Sequence, residues 1–99
     1  MHIALAPFEL KAGVSEDTLL SASDTFQQEF ASKQEGIIRR VLVRDGEDDG
    51  YADLVFFRDL ESIDRVIEAE QNSDVCAAFF SIMDGDCTHR VYEVLKTYP

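Results

Sequence analysis

Cys76 and Cys87 are the only two cysteines in a chain of 99 residues. Two thiols build neither the disulfide framework of a small secreted domain nor the four-ligand set of a zinc finger. Basic residues are also scarce. Nine Lys and Arg stand against 20 Asp and Glu, and the net charge is -11. Nucleic acid and an anionic membrane surface both call for a positive stripe, so both are excluded as partners. Arg39, Arg40 and Arg44 lie near one another, but acidic residues surround them. No apolar run reaches the roughly 20 residues that cross a bilayer. The opening "MHIALAPFELKAG" lacks the basic lead and long apolar core of a secretory signal. A cytoplasmic protein with reduced thiols is the expectation. No glycine-rich phosphate loop, nucleophile elbow or paired-carboxylate signature is present.

What the sequence does have is apolar patterning, with 45% hydrophobic residues. That suffices for a single small core, so residues 1–99 are read as one domain. "HIALAPFEL" is apolar at nearly every position, as in a strand buried on both faces. Pro7 cannot donate to a ladder and predicts a bulge or interrupted pairing there. Ser15 is an N-cap, followed by Glu16 and Asp17 at the positive end of the helix dipole. Val14 and Leu19 make a hydrophobic staple. Leu19, Ala22, Phe26 and Phe30 then form a stripe, which predicts a helix over 15–34 ended by Gly36. "GIIRRVLVRD" predicts a strand at 37–45, and "YADLVFFR" a second one. Asp59 caps a helix with Leu60, Ile63, Val66 and Ile67 inward. "QNSD" breaks it, and a second piece follows with Val75, Cys76, Phe79, Phe80 and Met83 inward. A last strand is expected over 87–95. Strand, helix, strand, strand, helix, strand is the order of a ferredoxin-like βαββαβ α+β domain. Such a domain is a four-stranded antiparallel sheet with its helices on one face.

The acidic "DGEDDG" between the middle strands begins like an EF-hand loop. If Asp45 held its first position, the twelfth would be Phe56, where a bidentate glutamate is required. The run before it is β-branched rather than helical. A tight hairpin needs aspartate and glycine for backbone reasons alone. The loop is therefore read as a turn, and no metal site is expected.

Alternation places apolar groups on both sides of every strand. Ile3 and Leu5 oppose Ala4, Ala6, Phe8 and Leu10. Ile37, Val41 and Val43 oppose Ile38 and Leu42. Val55 and Phe57 oppose Leu54 and Phe56. Val91 and Leu95 oppose Tyr92 and Val94. One helical layer covers one face only. The second face calls for a partner, and a two-fold homodimer through the sheet is the simplest.

"FELKAGVSEDTLLSASDTFQQEF", "QEGIIRRVLVRDGEDDGYADLVFFRDLESIDR" and the closing "HRVYEVLK" resemble the dimeric α/β-barrel superfamily, in its antibiotic-biosynthesis-monooxygenase-like branch. The resemblance covers nearly the whole chain. It implies a homodimer with a small-molecule pocket between sheet and helices in each subunit. Some proteins of this kind oxidise polyphenols or quinols with dioxygen and no cofactor, others degrade haem, and many have no known activity. Oxygenase and haem-degrading relatives carry a tryptophan near the end of the third strand, where this chain has Phe57. They often carry a histidine on the second helix, and residues 59–84 contain none. No cofactor is therefore expected.

His89 is the candidate catalytic residue, since a neutral imidazole accepts a phenolic proton near neutral pH. The bland alternative is a hydrogen-bonded structural histidine. Tyr51, Phe57, Cys76, Phe80, Arg90 and Tyr92 are the candidate substrate-binding residues, with Arg90 steadying an anionic oxygen. Phe57, Phe79 and Phe80 equally suit ordinary core packing. His2 and His89 lie at the starts of antiparallel neighbours and cannot share a metal. Cys76 and Cys87 are expected close together as inert thiols beside Asp74, Asp84 and Asp86. The leading reading is a homodimer that binds a small aromatic molecule and resembles cofactor-independent monooxygenases. The alternative is a non-catalytic ligand-binding or interaction dimer of the same fold.

Overall fold

A computed structural model describes residues 1–47, 49–85 and 88–99. The elements run β1 (His2–Leu10), α1 (Glu16–Glu29), a 3-10 turn (Ala31–Lys33), β2 (Ile37–Arg44), β3 (Tyr51–Phe57), α2 (Leu60–Glu70), α3 (Asp74–Phe80), β4 (Met83–Asp84) and β5 (Arg90–Glu93). Every sheet pairing is antiparallel, in the order β2-β3-β1, with β4 and β5 both on the far edge of β1. That is the ferredoxin-like order.

Of the strand expected over 87–95, Arg90–Glu93 forms β5, while Met83, expected inward on the second helical piece, lies instead in the short strand β4. β5 pairs with residues 2–5 of β1, and β4 pairs with residues 9 and 10. Pro7 sits in the gap between them, while its other side stays in register with Ala52 of β3. A residue without an N–H fits where the edge is unpaired.

Side-chain caps start all three helices. Ser15 Oγ accepts from the Thr18 N–H at 3.2 Å, Asp59 Oδ1 from Ser62 at 2.8 Å, and Ser73 Oγ from Cys76 at 3.2 Å. The Ser62 hydroxyl also donates to Asp59 at 2.7 Å. These bonds draw the Asp59 carboxyl down to about 2.

Helix α1 is shorter than its stripe predicts. It stops at Glu29 and tightens into the 3-10 turn, which buries Phe30 and Ala31. Gly36 is thus not the helix end. It leads into β2 at φ +99°, and a Cβ built there collides with the buried Ser62 side chain. Gly36→Ala therefore combines backbone strain with overpacking, and is expected to destabilise by about 2–4 kcal/mol. Urea unfolding measures it. A midpoint equal to that of the unaltered protein would remove the steric argument.

Strand β2 carries a bulge between Ile37 and Arg39. Ile37 pairs with Phe57, Arg40 with Val55 and Leu42 with Asp53, so Ile37, Arg40 and Leu42 share the helix-covered face. Val41 and Val43 pair with Leu54 and Ala52 on the other face. The extra residue corrects the simple alternation, which grouped Ile37 with Val41 and Val43. A bulge absorbs one residue without turning the rest of the strand over.

The core lies between sheet and helices: Ala4, Leu19, Phe26, Phe30, Phe57, Ile63, Val66, Cys76, Phe79 and Met83. The opposite face carries Ile3, Leu5, Val41, Leu54 and Phe56, all half-buried, with Val43 and Tyr92 exposed. In the hairpin, Arg44 pairs with Tyr51, and the Asp45 N–H donates to the Gly50 carbonyl at 2.8 Å. The Asp45 carboxylate accepts from the Glu47 N–H at 2.9 Å, which is the backbone task of an Asx turn.

Candidate functional site

Sheet and helices do not close completely on each other. A cavity of about 240 Å³ remains between them. From the sheet, Ala4, Ala6, Phe8, Val55 and Phe57 line it. From the helices come Phe26, Ile63, Val66, Phe79 and Phe80. The aromatic wall is continuous: Phe26 and Phe79 stack at 4.6 Å between centroids, and Phe79 meets Phe80 at 5.8 Å. His89 also lines the cavity and is exposed, so it stands where the cavity meets solvent.

Three charged residues break the apolar lining: Arg40, Asp53 and Glu70. Arg40 Nε donates to Asp53 Oδ2 at 3.2 Å, and Nη2 reaches both carboxylate oxygens at 3.1 and 3.3 Å. Nη2 also donates to Ser23 Oγ at 3.2 Å, and Nη1 to Gln27 Oε1 at 3.1 Å. The guanidinium lies 4.7 Å from the Phe26 ring centroid and 5.8 Å from that of Phe79. Only 6% of the Arg40 side chain and 12% of the Asp53 side chain are exposed. A planar, always-charged fork with flat faces suits this place, where a lysine would not.

Burial pushes the Asp53 carboxyl upward, and Arg40 opposes the shift by charge and hydrogen bonds. Burial pushes Glu70 up to about 7. The negative charge of Asp53 adds to that shift and Arg40 opposes it. A carboxyl in an apolar, partly closed space that titrates near neutrality accepts or donates a proton under physiological conditions.

Of the residues expected at the site, Phe57, Phe80 and His89 line this cavity. Cys76 is fully buried in the core behind it. Burial raises its thiol pKa, the Ser73 hydrogen bond opposes that shift, and the charge of Glu70 adds a smaller push upward. Cys87 and Asp86 lie outside the described residues, so the expected Cys76–Cys87 neighbourhood does too. Tyr51 belongs to another cleft. It stacks on Phe8 at 5.8 Å, and its hydroxyl donates to Glu16 Oε1 at 3.1 Å.

Arg90 and Tyr92 do not join His89. They pair with Leu5 and Ile3, on the face away from the helices. The Arg90 guanidinium rests 5.8 Å from the Tyr92 ring centroid. The correction is geometric: neighbours in a strand point to opposite faces. His2 pairs with Phe57 and Glu93, at the other end of the β1–β5 ladder from His89.

Arg40, Asp53 and Glu70 were not among the candidates, although signals existed. Asp53 is two residues before the inward Val55 and four before Phe57, where an apolar residue is expected. Glu70 continues the stripe of Ile63, Val66 and Ile67 at helical spacing.

No protein-family model matches the chain, and no curated protein matches its sequence. Solved structures do. A proposed antibiotic biosynthesis monooxygenase from Chloroflexus aurantiacus superposes with a TM-score of 0.73 at 15% identity, covering 99% of this chain and 96% of that one. SnoaB, a cofactor-independent oxygenase from Streptomyces nogalater, gives 0.71 at 16% identity, with the same coverage of 99% and 96%. A conserved protein from Methanosarcina mazei gives 0.70 at 19% identity, covering 92% of this chain and 89% of that one. Identities this low establish architecture alone. The chain has the ferredoxin-like α+β fold that these antibiotic-biosynthesis-monooxygenase structures share.

Proposed function

We propose that the protein is a homodimer that holds a small aromatic molecule in the cavity between its sheet and helices, and that it oxidises this molecule with dioxygen and no cofactor. The observation that carries the reading is the cavity itself, an aromatic-walled space with a fixed guanidinium–carboxylate pair in its lining. An apolar pocket with few polar groups is how proteins take up small organic ligands. SnoaB, a cofactor-independent oxygenase of the same fold, supplies the chemistry to test.

With no cofactor, all electrons come from the substrate. For 1-naphthol, a ring C–H becomes a carbonyl. One oxygen atom of dioxygen enters the ring and the other leaves as water, giving 1,4-naphthoquinone. The expected result with this substrate is one dioxygen consumed per quinone formed, above the protein-free rate. His89→Ala is expected to lower the rate at least tenfold if His89 acts as the base. Uptake unchanged by His89→Ala would remove that role.

A second reading is a non-catalytic binding dimer. The separation of Arg90 and Tyr92 from His89 favours it. Saturable binding of 1-naphthol with no oxygen uptake would select it.

A further inference from the structure

In the cavity lining Glu70 is within range of the charges of Asp53 and Arg40 but makes no side-chain hydrogen bond or ion pair with a described residue. Arg40 of β2 and Asp53 of β3 are joined to one another by three hydrogen bonds. Their charges cancel locally. An ionised Glu70 therefore leaves one uncompensated negative charge in an otherwise apolar lining. Cys76 of α3 lies within range of that charge, and His89, just before β5, stands on the cavity wall.

Arg40 already lies over the rings of Phe26 and Phe79, so a cationic ligand gains no cation–π contact on those faces and must leave water for an otherwise apolar lining. What an isolated carboxylate lacks in such a place is a neutral hydrogen-bond donor. Size sets a second condition. A dry cavity of about 150 Å³ takes up benzene, so the 240 Å³ here suits one or two fused rings.

We propose that Glu70 determines the specificity of the cavity, its carboxylate accepting the hydroxyl hydrogen of an uncharged one- or two-ring phenol whose ring lies against the aromatic wall. This deepens the reading above and rests on the cavity's binding a small aromatic molecule. The bond is strongest to ionised Glu70, since a protonated carboxyl offers only a weaker carbonyl acceptor, and burial holds the carboxyl up to about 7. Affinity for a phenol therefore rises as pH increases through that value. A ligand of the same shape without the hydroxyl does the reverse. It takes water from the carboxylate without replacing its hydrogen bond, and so favours the protonated form. One residue thus imposes opposite pH slopes on two nearly identical ligands.

The test measures binding of 1-naphthol and 1-methoxynaphthalene by calorimetry on both sides of pH 7, with the full chain. The naphthol is expected to gain roughly tenfold or more from the acid to the alkaline side, and the ether to lose affinity. Glu70→Gln, which keeps a neutral acceptor, is expected to flatten both slopes while both ligands still bind. Imidazoles titrate in the same range, so His89→Ala is measured as well, and slopes retained there assign the effect to Glu70. Parallel or flat slopes with both ligands bound would overturn the role of Glu70 and leave the cavity reading intact. Absence of binding by either ligand at every pH would overturn the cavity reading, and this one with it.

Discussion

Leu54→Asp is expected to turn a dimer into a monomer. Leu54 sits mid-sheet on the face without helices, paired with Leu5 on one side and Val41 on the other. Ile3, Phe56 and Val43 flank them. Covering a few hundred Å² of such surface is worth several kcal/mol at about 25 cal/mol per Å², before the cost of association. In a two-fold dimer the substitution occurs in both copies. Each loses an apolar side chain and brings in a carboxylate with no partner. Together these should weaken association by roughly a thousandfold or more. Sedimentation at micromolar concentration reads the outcome directly. The carboxylate points away from the core, so the fold should survive with unchanged circular dichroism. If the unaltered protein sediments as a monomer there is no dimer, and if the variant still pairs the interface lies elsewhere.

Arg40→Met should cost about 3–5 kcal/mol of folding stability, because it strands Asp53 without its cation. The methionine keeps much of the packing against Phe26 and Phe79, so lost volume is not the main cause. Removing both charges together, Arg40→Met with Asp53→Leu, should recover most of the loss, and buried ion pairs replaced in this way sometimes gain stability. The comparison isolates the pair, since the two single changes share one partner and cannot add. Urea unfolding of the two single variants and the double one gives the coupling. If the single substitution costs less than about 1 kcal/mol, water reaches Asp53 freely and the ion pair is no more than a surface contact.

The architecture was legible because each of its signals is local. Ser15, Asp59 and Ser73 announce helix starts by their type and position. The alternation in "YADLVFF" marks a strand, and the acidic glycine-flanked loop marks a hairpin. Elements without a pattern were not legible. β4 has two residues, too few for any period. Helix α1 stops at Glu29 because Phe30 and Ala31 bury themselves through a tighter turn, a choice made by tertiary packing.

The site was less legible than the fold for a related reason. Acidic residues in a chain of net charge -11 read as solvated, and Asp53 and Glu70 passed with the rest. Arg40 was hidden by the bulge, since counting in twos from Ile37 turns it outward. Arg90 and Tyr92 fell to the same parity rule. Side chains adjacent in β5 leave the strand on opposite sides, so a cluster of sequence neighbours there is not a cluster in space.

That bulge also bears on descent. An inserted residue in a strand normally reverses everything beyond it, and selection discards it. Here Ile38 is the extra residue of the bulge, so Ile37 and Arg40 face the same way across an odd interval. Lineages with and without the extra residue would therefore carry the same guanidinium at different counts from the preceding glycine. Its counterpart in a distant homologue is to be sought by its partner across the ladder, not by its place in an ungapped alignment.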